Sequence, residues 1–256
     1  MNQKKELVAG TPSLKVKLPL PLSFCQGCHH GSAVRVIWES LEELGIEDNT
    51  IFIGGVTCGS INAFITDVDA LAPVAHGRAP DTASGMRRLV DEDTIIITYQ
   101  GDGDAIAIGT ESLVQAAGRS ERITVFMVNN ANYGTTGGQM APTTIVGQKT
   151  TTTPLGRGKN QEGFPLSAAE IVAGIKGTAY SARGSLTSPA NYTKTKKYVK
   201  KALQKQIDKV GFSFVEILSA CPPNWGMPPT ECLKWIDTEL AKEFPLGEFK
   251  DVDSPG

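Results

Sequence analysis

Two short polar strings hold the groups with the clearest chemical use. Gln100-Gly101-Asp102-Gly103-Asp104 sets a carboxylate between two glycines, and Asn129-Asn130-Ala131-Asn132-Tyr133-Gly134 supplies amides. A carboxylate from one loop and amides from another suit a hard cation such as Mg2+, which takes oxygen ligands and bridges to a diphosphate. The glycines let backbone N–H groups approach phosphate oxygens, and a helix starting just after the first string adds a favourable field. A lone Gly-Asp-Gly says little, because loops use it widely. Its spacing from Asn129-Asn130, about one β–α–β unit, is far more specific.

The cysteines form the second constellation. Cys25 and Cys28 make a Cys-x-x-Cys; Cys58 follows a glycine-rich turn and Cys221 precedes Pro222-Pro223. A thioredoxin-like dithiol needs only the first pair, but in a different β–α–β setting. Zinc needs four ligands, usually as two close pairs, and there is no second pair. A 4Fe–4S cluster needs four thiolates and accepts distant ones if the fold gathers them. Spacing leaves the cluster and zinc both open. Cys232 falls inside an expected helix and reads as a small core residue. His29 and His30 flank the pair, with a structural role or hydrogen bonds to a bound metal group as their two uses.

The elements that must position these groups are legible in outline. Apolar runs at 94–99 and 123–128 read as strands leading into the two polar strings, with a helix over 105–119 between them. Such loops lie at the carboxyl ends of strands, where open α/β sheets hold ligands. Ahead of them, Ser32 is placed to cap a helix whose Val34, Ile37, Trp38, Leu41 and Leu44 share one face, ending at Gly45. A short strand over 50–53 runs into the Cys58 turn. The polar loop at 75–80, with His76 and Arg78, precedes a helix expected over 81–90. Residues 140–164 show no periodicity, and a stretch so long inside a compact domain points to a lid or a subunit contact. A short helix follows, with Ser167 as cap and Glu170 completing a capping box. A lysine-rich amphipathic helix at 191–210, a strand at 212–218, a helix at 230–244 and a charged tail complete the outline. Nothing is assigned between 174 and 191. The expected architecture is α/β, a mostly parallel sheet flanked by helices on both faces. It divides into an extended arm over 1–22, where Pro19 and Pro21 alternate with leucine, and a single domain over 23–256.

Composition narrows the classes further. The 256 residues carry a formal charge of −2, with 40% hydrophobic and 20% charged residues. That balance marks neither a nucleic-acid nor a membrane-surface binder. The start of the chain lacks the apolar core of a secretory signal, and no run reaches the roughly 20 apolar residues of a membrane span. A cytoplasmic location is expected, where cysteines serve metal or redox chemistry more often than disulfides.

The paired strings resemble the thiamine diphosphate motif. Together with Tyr133, Gly137-Gly138-Gln139, the Cys-x-x-Cys, Cys58, His76-Gly77-Arg78 and Cys221, the chain resembles the β subunits of 2-oxoacid:ferredoxin oxidoreductases over nearly its whole length. The resemblance implies the thiamine diphosphate-binding fold, with Cys25, Cys28, Cys58 and Cys221 ligating a 4Fe–4S cluster. It implies Mg2+ held by the Asp102 carboxylate, the Asn130 side-chain oxygen and the Asn132 backbone carbonyl, with Gly101, Gly103 and Asp104 framing the phosphates. Tyr133 and Thr135 would lie near the cofactor's reactive end, and His76 and Arg78 would contact cofactor or substrate anions. The implied activity is coenzyme A-dependent oxidative decarboxylation of a 2-oxoacid, with electrons leaving to ferredoxin. The expected partners are an α subunit supplying the activating carboxylate, and γ and δ subunits. A branched-chain substrate, 2-oxoisovalerate, is the first expectation, with pyruvate and 2-oxoglutarate as alternatives. A non-oxidative thiamine-dependent decarboxylase subunit and a zinc-stabilised binding module are the competing readings.

Overall fold

The computed structural model describes residues 24–66 and 68–254; the arm expected over 1–22 lies outside them. In chain order the elements are α1 (His30–Leu44), β1 (Thr50–Gly54), α2 (Asn62–Ile65), β2 (Asp69–Leu71), α3 (Ala79–Met86), β3 (Ile95–Gly101), α4 (Thr110–Gly118) and β4 (Thr124–Asn129). They continue with α5 (Ala168–Ala173), β5 (Thr178–Ser185), α6 (Pro189–Ile207), β6 (Phe212–Leu218), α7 (Pro222–Trp225), α8 (Pro229–Trp235), α9 (Ala241–Glu243) and β7 (Gly247–Asp251).

The strands form one seven-stranded sheet in the order β2-β1-β3-β4-β6-β5-β7. Every neighbouring pair is parallel except β5 with β7, which is antiparallel. The chain turns to opposite sides of the sheet after β1 and after β3. Loops leaving those strands therefore diverge and open a crevice at their carboxyl ends, the place where such sheets bind ligands.

Alternate residues of the central strands feed two cores, as the pleat requires. Ile95, Ile97 and Tyr99 of β3, with Phe126, Val128, Val215 and Ile217, pack on α1 and α6 through Ile37, Trp38, Leu41, Val199 and Leu203. Ile96, Val125, Met127 and Phe214 face the other way, onto small residues of α3, α4 and α5 such as Ala83, Ala116, Ala117 and Ala169. Strands buried on both faces read as continuous apolar runs, which is why β3, β4 and β6 fall where the sequence places them. A third cluster, Ala131, Leu218, Cys232, Ile236, Leu240 and Phe244, lies under α7–α9. Cys232 is fully buried there, as expected of a small core residue.

Several expectations are corrected. Ser32 lies inside α1, whose first residue is His30, and no side chain caps that helix. Its end is as expected, with Gly45 left-handed at φ 66°. The helix expected over 81–90 starts at Ala79, with Pro80 in its first turn, and stops at Met86. The helix expected over 105–119 is two pieces: one π-helical turn at Asp104–Ile108, then α4. Ser167 precedes α5 but makes no side-chain cap bond, and Glu170 turns to Arg183 instead. The blank between 174 and 191 contains β5, and the charged tail contains β7.

Candidate functional site

Three loops at the carboxyl ends of adjacent strands line one cleft. β1 contributes Val56, Thr57 and Cys58; β3 leads into Gly101–Asp104; β4 leads into Asn130–Thr136; His76 closes one side. The structure thus brings together Gly101, Asp102, Gly103, Asp104, Asn130, Asn132, Tyr133, Thr135 and His76 from the sequence-based set. Gly103 is obligatory, since a Cβ there would collide with the Tyr133 ring.

At the cleft floor, Asp102 is 2% exposed and accepts a short hydrogen bond from Thr143 Oγ1. Burial pushes its carboxyl up to about 7, against the hydrogen bonds that favour the charged form, and the Glu216 charge nearby pushes the same way. The Asn130 amide shows what is wanted there. One terminal position of that amide lies 3.2 Å from Asp102 Oδ1 and 2.6 Å from the Asn132 carbonyl oxygen. A nitrogen there bridges both oxygens; an oxygen there accepts from the Asn132 N–H at 3.3 Å but also faces two acceptors, an arrangement that a cation would stabilise. A single amide rotation therefore converts a self-bonded loop into a site of three converging oxygens. Asn132 Oδ1 is also buried without a donor. The residues fit Mg2+, which favours few protein oxygens and shares the rest of its shell with phosphate and water.

Asp104 is the second buried carboxylate of the cleft. Its Oδ1 accepts from Gly77 N at 2.8 Å and Val56 N at 3.2 Å, and its Oδ2 accepts from Gln100 Nε2 at 2.6 Å. His76 Nδ1 lies 2.5 Å from the same Oδ1, yet that nitrogen makes no well-aligned hydrogen bond. The short contact fixes where the ring sits without supplying a directional bond. Arg78 is not brought to the cleft. Its guanidinium donates to Glu111 Oε2 at 2.7 Å and to Ser112 Oγ at 2.7 Å, with Asp81 at 3.4 Å.

The four cysteines gather beside this cleft. The Cys28 thiol is pushed up to about 12, chiefly by burial, with Cys221, Cys58 and Cys25 all near enough to add charge repulsion. Cys58 lies on the cleft wall with its Sγ 2.9 Å from Thr135 Oγ1. Asn224 Nδ2 donates to Cys221 Sγ at 3.2 Å. Among the described residues no three His, Cys, Asp or Glu side chains are grouped to hold one metal ion. His30 is buried behind them, with Nδ1 2.8 Å from the Tyr99 hydroxyl, and burial followed by the neighbouring His29 takes it down to about 4. It is a neutral structural group.

Sequence reasoning missed the residues that hold the amide loop in place. Ala131 is left-handed at φ 55°, a conformation costing roughly 1–2 kcal/mol in a residue with a Cβ. Thr144 Oγ1 and Gln148 Nε2 donate to its carbonyl at 2.7 and 3.1 Å, and Trp225 Nε1 donates to the Asn130 carbonyl at 3.1 Å. The segment at 140–164 is therefore a wedge under the site. Arg157 pins it, donating to the carbonyls of Pro142 at 2.9 Å, Thr144 at 2.5 Å and Phe164 at 2.7 Å.

Comparisons with known proteins agree with this geometry. Residues 60–217 match the thiamine pyrophosphate enzyme C-terminal TPP-binding domain. A ketoisovalerate oxidoreductase subunit VorA from Methanothermobacter thermautotrophicus is 40% identical over 91% of this chain and 48% of its own length. This chain spans about half the length of the VorA relatives it matches. A 2-oxoglutarate synthase subunit KorB from Methanocaldococcus jannaschii is 31% identical over 92% of this chain and 90% of its own. The fold is that of a solved 2-oxoglutarate:ferredoxin oxidoreductase from Magnetococcus marinus, at TM-score 0.75 and 22% identity over 96% of this chain and 87% of that one. The chain belongs to the 2-oxoacid oxidoreductase subunits and carries their thiamine pyrophosphate-binding domain.

Proposed function

We propose that this chain is the subunit of a 2-oxoacid:ferredoxin oxidoreductase that holds thiamine diphosphate, Mg2+ and a 4Fe–4S cluster. Its complex converts a 2-oxoacid and coenzyme A to an acyl-CoA and CO2, with electrons leaving to ferredoxin. The observation that carries this reading is the joining of two sites in one cleft: three oxygens converging at Asp102, and Cys58 on the wall above them.

Asp102, the Asn130 side-chain oxygen and the Asn132 carbonyl would hold the cation, and the Gly101–Gly103 backbone would accept the diphosphate. Thiamine diphosphate, when bound, supplies the electron sink for breaking the bond between a keto carbon and its carboxylate. Tyr133 covers Gly103, and Thr135 stands between that region and Cys58. Cys25, Cys28, Cys58 and Cys221 would hold the cluster. A cubane takes four thiolates spread around one body, and Cys221, Cys58 and Cys25 all lie near enough to Cys28 to act on its charge. A non-oxidative decarboxylase would have no use for these thiols.

Both cleft carboxylates are committed, Asp102 to the cation position and Asp104 to backbone donors and His76. On the family resemblance, the carboxylate that activates thiamine would come from a partner α subunit, and γ and δ subunits would carry electrons onward. No lysine or arginine lines the cleft among the described residues. Among the described residues the cleft thus offers no such cationic side chain to a second substrate carboxylate, in keeping with 2-oxoisovalerate ahead of 2-oxoglutarate, with pyruvate as the alternative. The identity to VorA, higher than to KorB, points the same way. No helix among the described residues is long and apolar enough to cross a membrane, in keeping with the proposed cytoplasmic setting.

The test is to co-purify the complex and follow reduction of a low-potential acceptor with coenzyme A across the three 2-oxoacids. Turnover fastest on 2-oxoisovalerate, with at least about four irons and four sulfides per copy of this chain, supports the reading. A complex without labile sulfide, or one that releases aldehyde without reducing acceptor, overturns it.

A further inference from the structure

Among the described residues the largest fully buried side chain is a charged one, Arg183. On β5 it stands opposite Glu216 of β6 and donates to it through Nε at 2.8 Å. Its remaining nitrogens bind Glu170 and the Pro245 carbonyl. Glu216, also fully buried, accepts through its other oxygen from Asn129 Nδ2 at 2.7 Å. Asn129 Oδ1 then accepts from the Ala131 backbone N–H at 3.0 Å. Three side chains from three strands, Arg183, Glu216 and Asn129, thus form one chain of hydrogen bonds, and it ends on the left-handed residue between Asn130 and Asn132.

The direction of that chain matters more than its strength. A buried ion pair adds little net stability, because desolvation offsets the attraction. Glu216 can only accept, so it fixes which end of the Asn129 amide faces it and leaves the oxygen facing Ala131. A reversed amide would set N–H against N–H.

We propose that Arg183, Glu216 and Asn129 are positioning residues: their relay holds Ala131 left-handed and so aims the Asn130 and Asn132 oxygens at one cation. This rests on the reading of Asp102, Asn130 and Asn132 as the Mg2+–diphosphate site. Glycine takes positive φ unaided, so Ala131→Gly should make the relay dispensable. A purely structural relay has no reason to respond to that change.

The experiment uses the assembled complex, stripped of cofactor and titrated with thiamine diphosphate and Mg2+ in a calorimeter. Asn129→Ala is expected to weaken Mg2+-dependent binding roughly ten- to hundredfold, as losses behind a metal ligand do. Asn129→Ala with Ala131→Gly is expected to return to within about threefold of the parent. Where Asn129→Ala fails to assemble, Glu216→Gln interrupts the same relay, because one oxygen must then serve both Asn129 and Arg183; the same rescue applies. Binding unchanged in Asn129→Ala, or lost without rescue by Ala131→Gly, overturns the proposal. Asp102→Ala separates the two levels. If it leaves binding intact, the cation reading itself is wrong; if it abolishes binding while the relay variants behave as the parent, only the relay fails.

Discussion

Asp104 shows how much one side chain can organise. Its two oxygens gather the backbone of Val56 and Gly77, the Gln100 amide and the His76 ring, and so tie the loops after β1, β2 and β3 together. Asp104→Asn would turn a donor toward donors. It should cost roughly 2–3 kcal/mol, the value of hydrogen bonds to a buried charge, read as a lower urea midpoint at unchanged slope. The cysteines separate in the same residue-by-residue way. Cys221→Ser should lower iron content sharply, while Cys232→Ser should leave iron at the parent level, because Cys232 is packed in the core; iron and sulfide analysis of the purified complex decides. Asp102, Asn130 and Asn132 were legible because each loop is contiguous and its residue types are distinctive. Thr143, Glu216 and the inward role of Asn129 were not, because their importance lies in contacts made 41 and 87 positions apart along the chain. Arg78 was expected at an anion from the His76-Gly77-Arg78 resemblance and the fork of its guanidinium. Its acidic neighbours Asp81 and Glu111 claim it in the fold.

At the scale of elements, periodicity located the strands that are apolar on both faces and failed where polar groups are satisfied by tertiary partners. β5 reads Thr-Ala-Tyr-Ser-Ala-Arg-Gly-Ser, yet every residue of it is buried, because Arg183 meets Glu216 and Ser181 donates to the Ala169 carbonyl. β7 has too many charges to read as a strand. Its Glu248 and Asp251 pair with Lys201 of α6, the helix it lies beside. The wedge at 140–164 had the opposite problem: no period, yet a fixed course set by Arg157. Arg157→Ala would strand several buried carbonyls, each worth roughly 1–3 kcal/mol. Limited proteolysis should then cut inside 140–164 first, and cofactor affinity should fall with the loss of Thr143 beneath Asp102. Glu121 joins two other elements, accepting from Arg88 at 2.6 Å and Arg119 at 2.9 Å. Burial raises its pKa, but those two arginines more than reverse this, and it lies below its usual 4.5. A depressed carboxylate stabilises the fold above its unfolded pKa and loses that contribution as pH falls through 4.5 and on toward the folded value. Glu121→Gln should therefore cost about 1 kcal/mol at pH 7, discounted for the exposed arginines, and should shrink the difference from the parent below pH 4 in melting curves.

On the proposed function the whole molecule is half of a catalytic centre: its cleft would offer a cation site, a phosphate cradle and adjoining thiols, while Asp102 and Asp104, the carboxylates lining it among the described residues, are both engaged. The isolated chain should bind thiamine diphosphate weakly and show no 2-oxoacid turnover with a viologen acceptor; activity from the chain alone would refute its place as one subunit among several. The same geometry gives the molecule a built-in optical reporter. Trp225 donates its backbone N–H to the Cys221 carbonyl at 2.9 Å and its indole N–H to the Asn130 carbonyl at 3.1 Å, with the Trp235 ring 4.5 Å away. Its emission should be quenched by iron on one side and shifted by the cation on the other. Trp38, packed against Phe52 in the opposite core, should stay constant, so both loading events become readable in one unlabelled spectrum.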